Sequence, residues 1–110
     1  MKIINYLNYF IKRNKFQPAQ RLIIELGLID AIDVSIYARP EFNWEQMEQI
    51  RQGLKKRLNV SLYAKPEFTW GQMEEIRIGL LHGIDVTPYL NPGIKVEEME
   101  RIRESLESKK

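Results

Sequence analysis

Residues 33–58 read DVSIYARPEFNWEQMEQIRQGLKKRL, and residues 59–84 read NVSLYAKPEFTWGQMEEIRIGLLHGI. Residues 85–110 continue the pattern more loosely as DVTPYLNPGIKVEEMERIRESLESKK, so equivalent positions lie 26 residues apart. A fixed period of about 20–50 residues is typical of proteins in which each unit packs on its neighbours. The sequence therefore predicts an all-α fold, a short solenoid of helix-turn-helix repeats that each contain a short helix and a longer one.

The first 32 residues fit this pattern less closely. Phe16 and Gln20 lie 26 residues before Phe42 and Gln46, which indicates an earlier, degenerate repeat. Apolar residues between positions 3 and 13 have helical spacing and predict an N-terminal helix that caps the array, as the terminal units of a repeat protein require. We therefore expect one helical-repeat domain over residues 1–110, divided into this cap with its degenerate repeat and three full repeats: 1–32, 33–58, 59–84 and 85–110.

Each repeat carries two signals for the start of a helix. Asp33 and its equivalents are suited to cap a short helix, which the proline seven residues later limits to one or two turns. Asn43 and Gln46 have the spacing of a capping box, in which two side chains satisfy unpaired backbone N–H groups, and Thr69 and Gln72 repeat it. Longer helices are predicted at about 44–57, 70–82 and 96–107.

Apolar residues recur at helical spacing along these longer helices. In the first helix they include Trp44, Met47, Ile50 and Leu54, and Trp70 begins the equivalent series in the next repeat. The pattern predicts one core-facing stripe per helix, with both tryptophans in the core.

Glycines recur within the predicted longer helices, at Gly27, Gly53 and Gly79. Glycine inside a helix costs roughly 1 kcal/mol relative to alanine, so its recurrence indicates a close approach between the helix and a neighbouring short element. The alternative is a helix that ends at the glycine. Gly83 is predicted to terminate its helix, a role that Ala31 and Arg57 fill less well.

Composition and charge narrow the functional classes. The chain has no cysteine, which excludes disulfides and thiolate sites and fits a cytoplasmic location. A formal net charge of +2 is too small to require a polyanionic partner. The N-terminal residues mix apolar with polar and cationic side chains instead of forming an unbroken apolar run, so we expect no targeting or membrane segment.

The sequence offers little for catalysis. His82 is the only histidine, and no phosphate loop or dinucleotide signature is present. Beside Gly83, His82 is most simply a favourable partner for the helix dipole. Carboxylates follow the repeat and lie three residues before an arginine, the spacing of intrahelical ion pairs, at Glu48–Arg51, Glu74–Arg77 and Glu100–Arg103. We expect no enzyme, no cofactor and no metal.

One departure from the repeat indicates a contact surface. Ile78 and Leu81 stand where the preceding repeat has Gln52 and Lys55. Exposed aliphatic residues at such positions favour a protein contact, and with His82 they form the candidate partner-binding patch. The alternative is that Ile78 and Leu81 pack against the last repeat.

Basic residues suggest a second type of partner. If the fold brings the two clusters together, they would contact the phosphates of a nucleic acid. The cations at the helix end also interact favourably with the helix dipole, and tryptophans buried in the core would not stack on bases. The clusters consist of Lys12, Arg13, Lys15, Lys55, Lys56 and Arg57.

The segments DVSIYARPEFNWEQMEQIRQGL and NVSLYAKPEFTWGQMEEIRIGL resemble tandem repeats of proteins encoded by mobile elements and phages of gut-dwelling Firmicutes. The resemblance covers residues 33–84 closely and residues 85–110 loosely, where Pro88, Asn91 and Gly93 depart from it. It implies an origin in conflict between mobile elements and their hosts. Small proteins of that origin include anti-CRISPR inhibitors, which act by occupying a surface, and the resemblance carries no functional residues.

These observations lead to the expectation of a cytoplasmic, non-enzymatic repeat module that binds a macromolecule. Its most concrete form is an inhibitor of a bacterial defence complex, such as a CRISPR effector, that acts by protein contact. The alternatives are a nucleic-acid-binding protein that uses the basic residues, and a structural protein that self-associates through the ends of its array.

Overall fold

The computed structural model describes residues 15–109, and the regular secondary structure of this part of the chain consists of helices alone, with no β-strand. Its longer helices are α1 (Pro18–Ile29), α2 (Trp44–Lys55), α3 (Trp70–Leu81) and α4 (Val96–Ser108). Short 3-10 helices lie between them: η1 (Val34–Ile36), η2 (Val60–Leu62) and η3 (Thr87–Tyr89). The all-α prediction is confirmed, and the predicted helix at residues 3–13 lies outside the described residues.

Both predicted capping boxes form. At the start of α2, Asn43 Oδ1 accepts the Gln46 N–H at 2.8 Å, and Gln46 Oε1 accepts the Asn43 N–H at 2.9 Å. Thr69 and Gln72 make the same pair of bonds at the start of α3. Each box satisfies backbone N–H groups that the first turn of a helix leaves without partners, which is why α2 and α3 begin where the sequence predicts.

The glutamine of each box also reaches the next loop. Gln46 Nε2 donates to Phe68 O at 2.6 Å and to Pro66 O at 3.2 Å, just before α3 begins. The starts of α2 and α3 therefore lie at the same end of the molecule. Equivalent short bonds join Gln20 to Phe42 and Gln72 to Ile94.

A second contact joins each of α1, α2 and α3, near the middle of the helix, to the segment that follows it. The Tyr37 hydroxyl donates to Ile23 O of α1 at 2.8 Å, beside Gly27. A Cβ atom at Gly27 would lie 2.6 Å from Val34 Cγ1 and closer still to the Tyr37 hydroxyl. The predicted close approach is confirmed, and the alternative is wrong because α1 continues to Ile29.

The buried residues form one continuous core between the longer helices and the 3-10 helices. Tyr37, Tyr63 and Tyr89 are completely buried, as are Met47 and Met73. The most extensive helix contacts are between consecutive pairs, α1 with α2, α2 with α3 and α3 with α4. The structure is longer in one direction as a result, with principal extents of 49 × 24 × 17 Å.

Helices α1, α2 and α3 are each followed by a residue in the left-handed backbone region. Gly83 has φ 74° after α3, as predicted, while Ala31 and Arg57 hold φ 59° after α1 and α2. This conformation turns the chain so that the backbone N–H of the next residue donates to the carbonyl of the helix glycine. The Leu58 N–H, for example, donates to Gly53 O at 2.9 Å. Ala31 and Arg57 adopt it at a steric cost that Gly83 does not have.

Candidate functional site

Trp44 and Trp70 are the first residues of α2 and α3, and each is 46% exposed. The prediction that both belong to the core is therefore wrong. Two large aromatic side chains at equivalent positions of adjacent helices are left on the surface instead.

The orientation of α2 explains this exposure. Its buried residues are Gln46, Met47, Gln49, Ile50 and Gly53. A helix turns once every 3.6 residues, so a side chain two residues before Gln46 projects from nearly the opposite side. A prediction that uses only the apolar residues leaves out the buried glutamines, and it therefore places the core face of α2 too close to Trp44.

Polar side chains occupy this core face because each has a partner across a joint between helices. Gln46 bonds the carbonyls before α3, and Gln49 Oε1 accepts a 2.8 Å bond from Arg77 Nε. The recurrence of glutamine at Gln20, Gln46 and Gln72, in phase with the glycines, was the sequence signal for this face.

The two tryptophans line one open groove of about 300 Å³, together with Glu45, Glu48 and Gln49. Trp44 begins α2 and Trp70 begins α3, so the groove lies between two adjacent helices. We call this surface, comprising Trp44, Glu45, Glu48, Gln49 and Trp70, the tryptophan groove.

One of its carboxylates is already neutralised. Arg51 Nε and Nη2 donate to the two oxygens of Glu48 at 2.8 Å each, and Gln52 adds a bond of 3.0 Å. Partial burial opposes ionisation of Glu48, but the bonds from Arg51 and Gln52 outweigh it and lower the pKa of Glu48. Arg51 also donates to Asp30 at 2.9 Å, so its charge is shared between two acids.

Glu45 has no such partner. Its side chain is half-buried and makes no hydrogen bond or ion pair within residues 15–109. The tryptophan groove therefore presents two indole rings and one uncompensated carboxylate.

The predicted ladder of intrahelical ion pairs is only partly correct. The Glu48–Arg51 pair forms, but Glu74–Arg77 and Glu100–Arg103 do not appear among the ion pairs of the described chain. Arg77 and Arg103 reach back 28 residues to the preceding helix instead, to Gln49 and to Glu75. Glu75 is only 6% exposed, and a buried acceptor with a charged donor outweighs an exposed pair along one helix.

The predicted aliphatic patch lies at the other end of α3. Ile78 is half-buried and Leu81 is 45% exposed, while His82 caps the end of the helix. The His82 ring contacts the Glu107 carboxylate, which also accepts a 2.8 Å bond from Arg103. Leu81 is thus the accessible apolar member of this patch.

The described basic residues do not converge. Lys15 shares a groove with Pro40 and Trp44 at the start of α2, whereas Lys55 and Arg57 share a groove with Asp30 at the end of α1. Lys55, Lys56 and Arg57 are exposed, and Lys55 Nζ lies 3.6 Å from Asp30 Oδ2. The other two predicted residues, Lys12 and Arg13, lie outside the described residues.

Three further findings concern metal ligands, membrane-spanning helices and similarity to known proteins. Residues 15–109 contain no group of three or more histidine, cysteine or acidic side chains placed to hold a metal ion. None of the described helices combines the length and apolar character needed to cross a bilayer. No family model matches the chain, and neither the curated proteins nor the solved structures contain a significant match to it.

Proposed function

We propose that this protein is a non-enzymatic helical-repeat module that binds a partner protein through the tryptophan groove. The observation that carries the proposal is the exposure of both groove tryptophans, 46% each, on either side of one groove. Tryptophan is enriched among the residues that dominate binding energy at protein interfaces. A groove lined by two such rings gives a partner side chain apolar surface from both of them.

We further propose that the array is a short solenoid of 26-residue units. Two kinds of hydrogen bond support it, since each recurs at this interval along the chain. The glutamine bonds link helix starts to the following loop, and the tyrosine bonds link the 3-10 helices to the preceding helix. A solenoid built this way presents equivalent side chains side by side, as it does with Trp44 and Trp70.

The concrete form of the proposal is an inhibitor of a bacterial defence complex, such as a CRISPR effector, encoded by a phage or mobile element. The resemblance of residues 33–84 to repeats of mobile-element proteins supports this form. A protein that acts by occupying a surface needs contact residues but no catalytic group, which fits the side chains of the tryptophan groove.

Binding of nucleic acid is the second candidate, and the exposed end of α2 with Lys55, Lys56 and Arg57 favours it. Two features oppose it. Lys55 lies beside Asp30, and Glu45 next to the exposed indole rings would repel phosphates. Protein binding is therefore the function that these contacts support better.

Self-association by end-to-end stacking is the third candidate. The glutamine that joins each unit to the next is replaced in the last unit by Glu98, whose carboxylate pairs with Arg101 at 3.0 Å. A carboxylate has no amide donor for the loop carbonyls of another copy. This substitution argues against stacking of copies at the α4 end.

Capture from a bacterial lysate with and without nuclease tests the proposal. Immobilised protein should retain a nuclease-resistant protein partner, and the Trp44→Ala/Trp70→Ala variant should lose it. Truncation of an interface tryptophan costs about 2 kcal/mol or more, a loss of roughly thirtyfold in affinity. Leu81→Asp is the matched variant, because it changes the aliphatic patch and leaves the groove intact. Retention of nucleic acid without protein, or capture that only Leu81→Asp abolishes, would contradict the proposal.

The inhibitor form has its own test. The protein is mixed with a purified CRISPR effector, with and without guide RNA, and the masses are measured by size exclusion with light scattering. A complex that the tryptophan double variant fails to form is expected. Elution of both components at their separate masses would exclude that effector as the partner.

A further inference from the structure

The tryptophan groove offers a side chain two aromatic surfaces, because Trp44 and Trp70 both line it. Atoms in van der Waals contact lie about 3.5–4.0 Å apart, so a planar group held between two rings needs roughly 7–8 Å between them. Trp44 and Trp70 begin the adjacent helices α2 and α3 and line the same groove, so a group that enters it is offered both rings. The groove is open along its length, so a side chain enters from a segment lying across α2 and α3.

The charges in the groove determine whether a positively or a negatively charged side chain binds there. Glu45 lacks a partner in the described chain, and the charge of Arg51 is shared between Glu48 and Asp30. The Arg51 side chain is also only 12% exposed, so it does not offset Glu45 at the surface.

The neighbouring surface extends this preference. Glu74 lies four residues after Trp70, on the same side of α3, and makes no ion pair in the described chain. Arg77, on the same helix, donates from Nε to the neutral Gln49. Within the tryptophan groove itself the Glu45 carboxylate has no partner in the described chain, so a cation is favoured there and an anion is repelled.

Among cationic side chains, arginine fits both the shape and the charge. Its guanidinium is planar, weakly hydrated and able to stack on aromatic rings while donating in its plane to a carboxylate. The ammonium of lysine is compact and strongly hydrated, so it gains less between two flat faces.

Resting on the proposed function, we infer that the partner contributes an arginine from a basic segment, and that this arginine inserts between Trp44 and Trp70 and pairs with Glu45. The partner segment carries no acidic residue next to that arginine, because Glu74 lies on the same side of α3 as Trp70 and has no ion-pair partner in the described chain. This assigns the groove a ligand class, a basic peptide segment, and identifies Glu45 as the residue that determines specificity.

The indole N–H signals of the full chain provide a direct readout, since it contains two tryptophans. The probe is the peptide acetyl-GRGRGRG-amide, compared with versions in which every arginine is replaced by lysine, by the neutral isostere citrulline or by glutamate. Both indole signals should shift with the arginine peptide. Citrulline should weaken binding at least about tenfold, because it keeps the shape but removes the charge.

Variants of the protein separate shape from charge. Trp70→Ala should abolish the shift of the remaining indole signal, and Glu45→Gln should weaken arginine binding about three- to tenfold and reduce its dependence on salt. Glu104→Gln removes an exposed charge from α4 and serves as the control that leaves binding unchanged. The inference would be overturned if the arginine and citrulline peptides bound equally well, or if the indole signals did not shift at the highest soluble concentration of the arginine peptide. It would also be overturned by a larger response to the oligonucleotide dT8 or to the oligosaccharide cellohexaose.

A competition experiment distinguishes this inference from the function on which it rests. The captured partner is challenged with the arginine peptide and with the citrulline peptide. Release by the arginine peptide alone is the expected result. A partner that depends on both tryptophans but resists the peptide would leave the proposed function standing and overturn the arginine assignment. Peptide binding together with capture that ignores the tryptophans would overturn the proposed function alone.

Discussion

The Tyr63 hydroxyl donates a 2.6 Å hydrogen bond to the backbone carbonyl of Gln49, one turn of α2 before Gly53. Tyr63 is completely buried, and the space that its hydroxyl occupies is the space that a side chain at Gly53 would fill. The glycine and the tyrosine are therefore two halves of one joint between α2 and the segment around η2.

We expect Gly53→Ala to destabilise the protein by about 2–4 kcal/mol, although alanine is normally the better helix former. The added Cβ would lie 2.6 Å from Val60 Cγ1 and closer to the Tyr63 hydroxyl, so the joint has to open. Urea denaturation followed by circular dichroism measures the change. The control is Gly71→Ala, where the nearest atom is Val96 Cγ2 at 3.2 Å and a change within about 1 kcal/mol is expected.

A double variant identifies the cause. Tyr63→Phe alone removes a buried hydrogen bond and should cost about 1–2 kcal/mol. Combined with Gly53→Ala it also removes the clashing oxygen, so the two losses should sum to more than the loss in the double variant. Strictly additive losses would show that the hydroxyl is not what excludes the methyl group.

Gln46→Glu should destabilise the protein more at pH 7 than at pH 4. Gln46 is 5% exposed, and its amide donates to the carbonyls of Pro66 and Phe68. A carboxylate there would face two carbonyl oxygens while buried, which raises its folded pKa above the unfolded value of about 4.3. The protonated form still donates one bond, so stability relative to the wild type is retained below that value and lost as pH rises through the folded pKa.

The measurement is the difference in unfolding free energy between Gln46→Glu and the wild type at the two pH values. The matched control is Glu98→Gln, the equivalent position of the last unit, where Glu98 pairs with Arg101 on the surface. There we expect a change within about 0.5 kcal/mol. A pH-independent loss for Gln46→Glu would mean that volume, and not charge, decides this position.

Trp44→Ala and Trp70→Ala should each change stability by less than about 1 kcal/mol, far from the 3–5 kcal/mol of a buried tryptophan. Each indole is 46% exposed, lies at the first position of its helix and makes no side-chain hydrogen bond within residues 15–109. Thermal denaturation checks this, with Met73→Ala as the buried comparison at 0% exposure. A loss of stability as large as that of Met73→Ala would show that the tryptophans contribute to the core, and it would contradict the proposed binding surface.

The helix boundaries were predictable because capping residues act locally. Asn43 and Gln46 lie three residues apart and hydrogen-bond each other, so their spacing in the sequence is enough to predict the interaction. The orientation of α2 was not predictable from apolar spacing, because Gln46 and Gln49 are buried by partners 20 or more residues away. The tryptophan groove was missed for the same reason, since burial of glutamine on one side turns Trp44 to the other.

Alkaline unfolding should begin near pH 10 and be cooperative. Burial raises the pKa of Tyr37, Tyr63 and Tyr89 above the usual range of tyrosine, even though Arg51, Arg77 and Arg103 respectively act in the opposite direction. A raised folded pKa stabilises the protein below the unfolded pKa of about 10, and this contribution is lost as pH rises beyond it. The tyrosinate absorbance of these buried side chains should therefore appear together with the loss of helical circular dichroism. Ionisation of these tyrosines while the helices remain intact would show that their hydroxyls do not hold the joints closed.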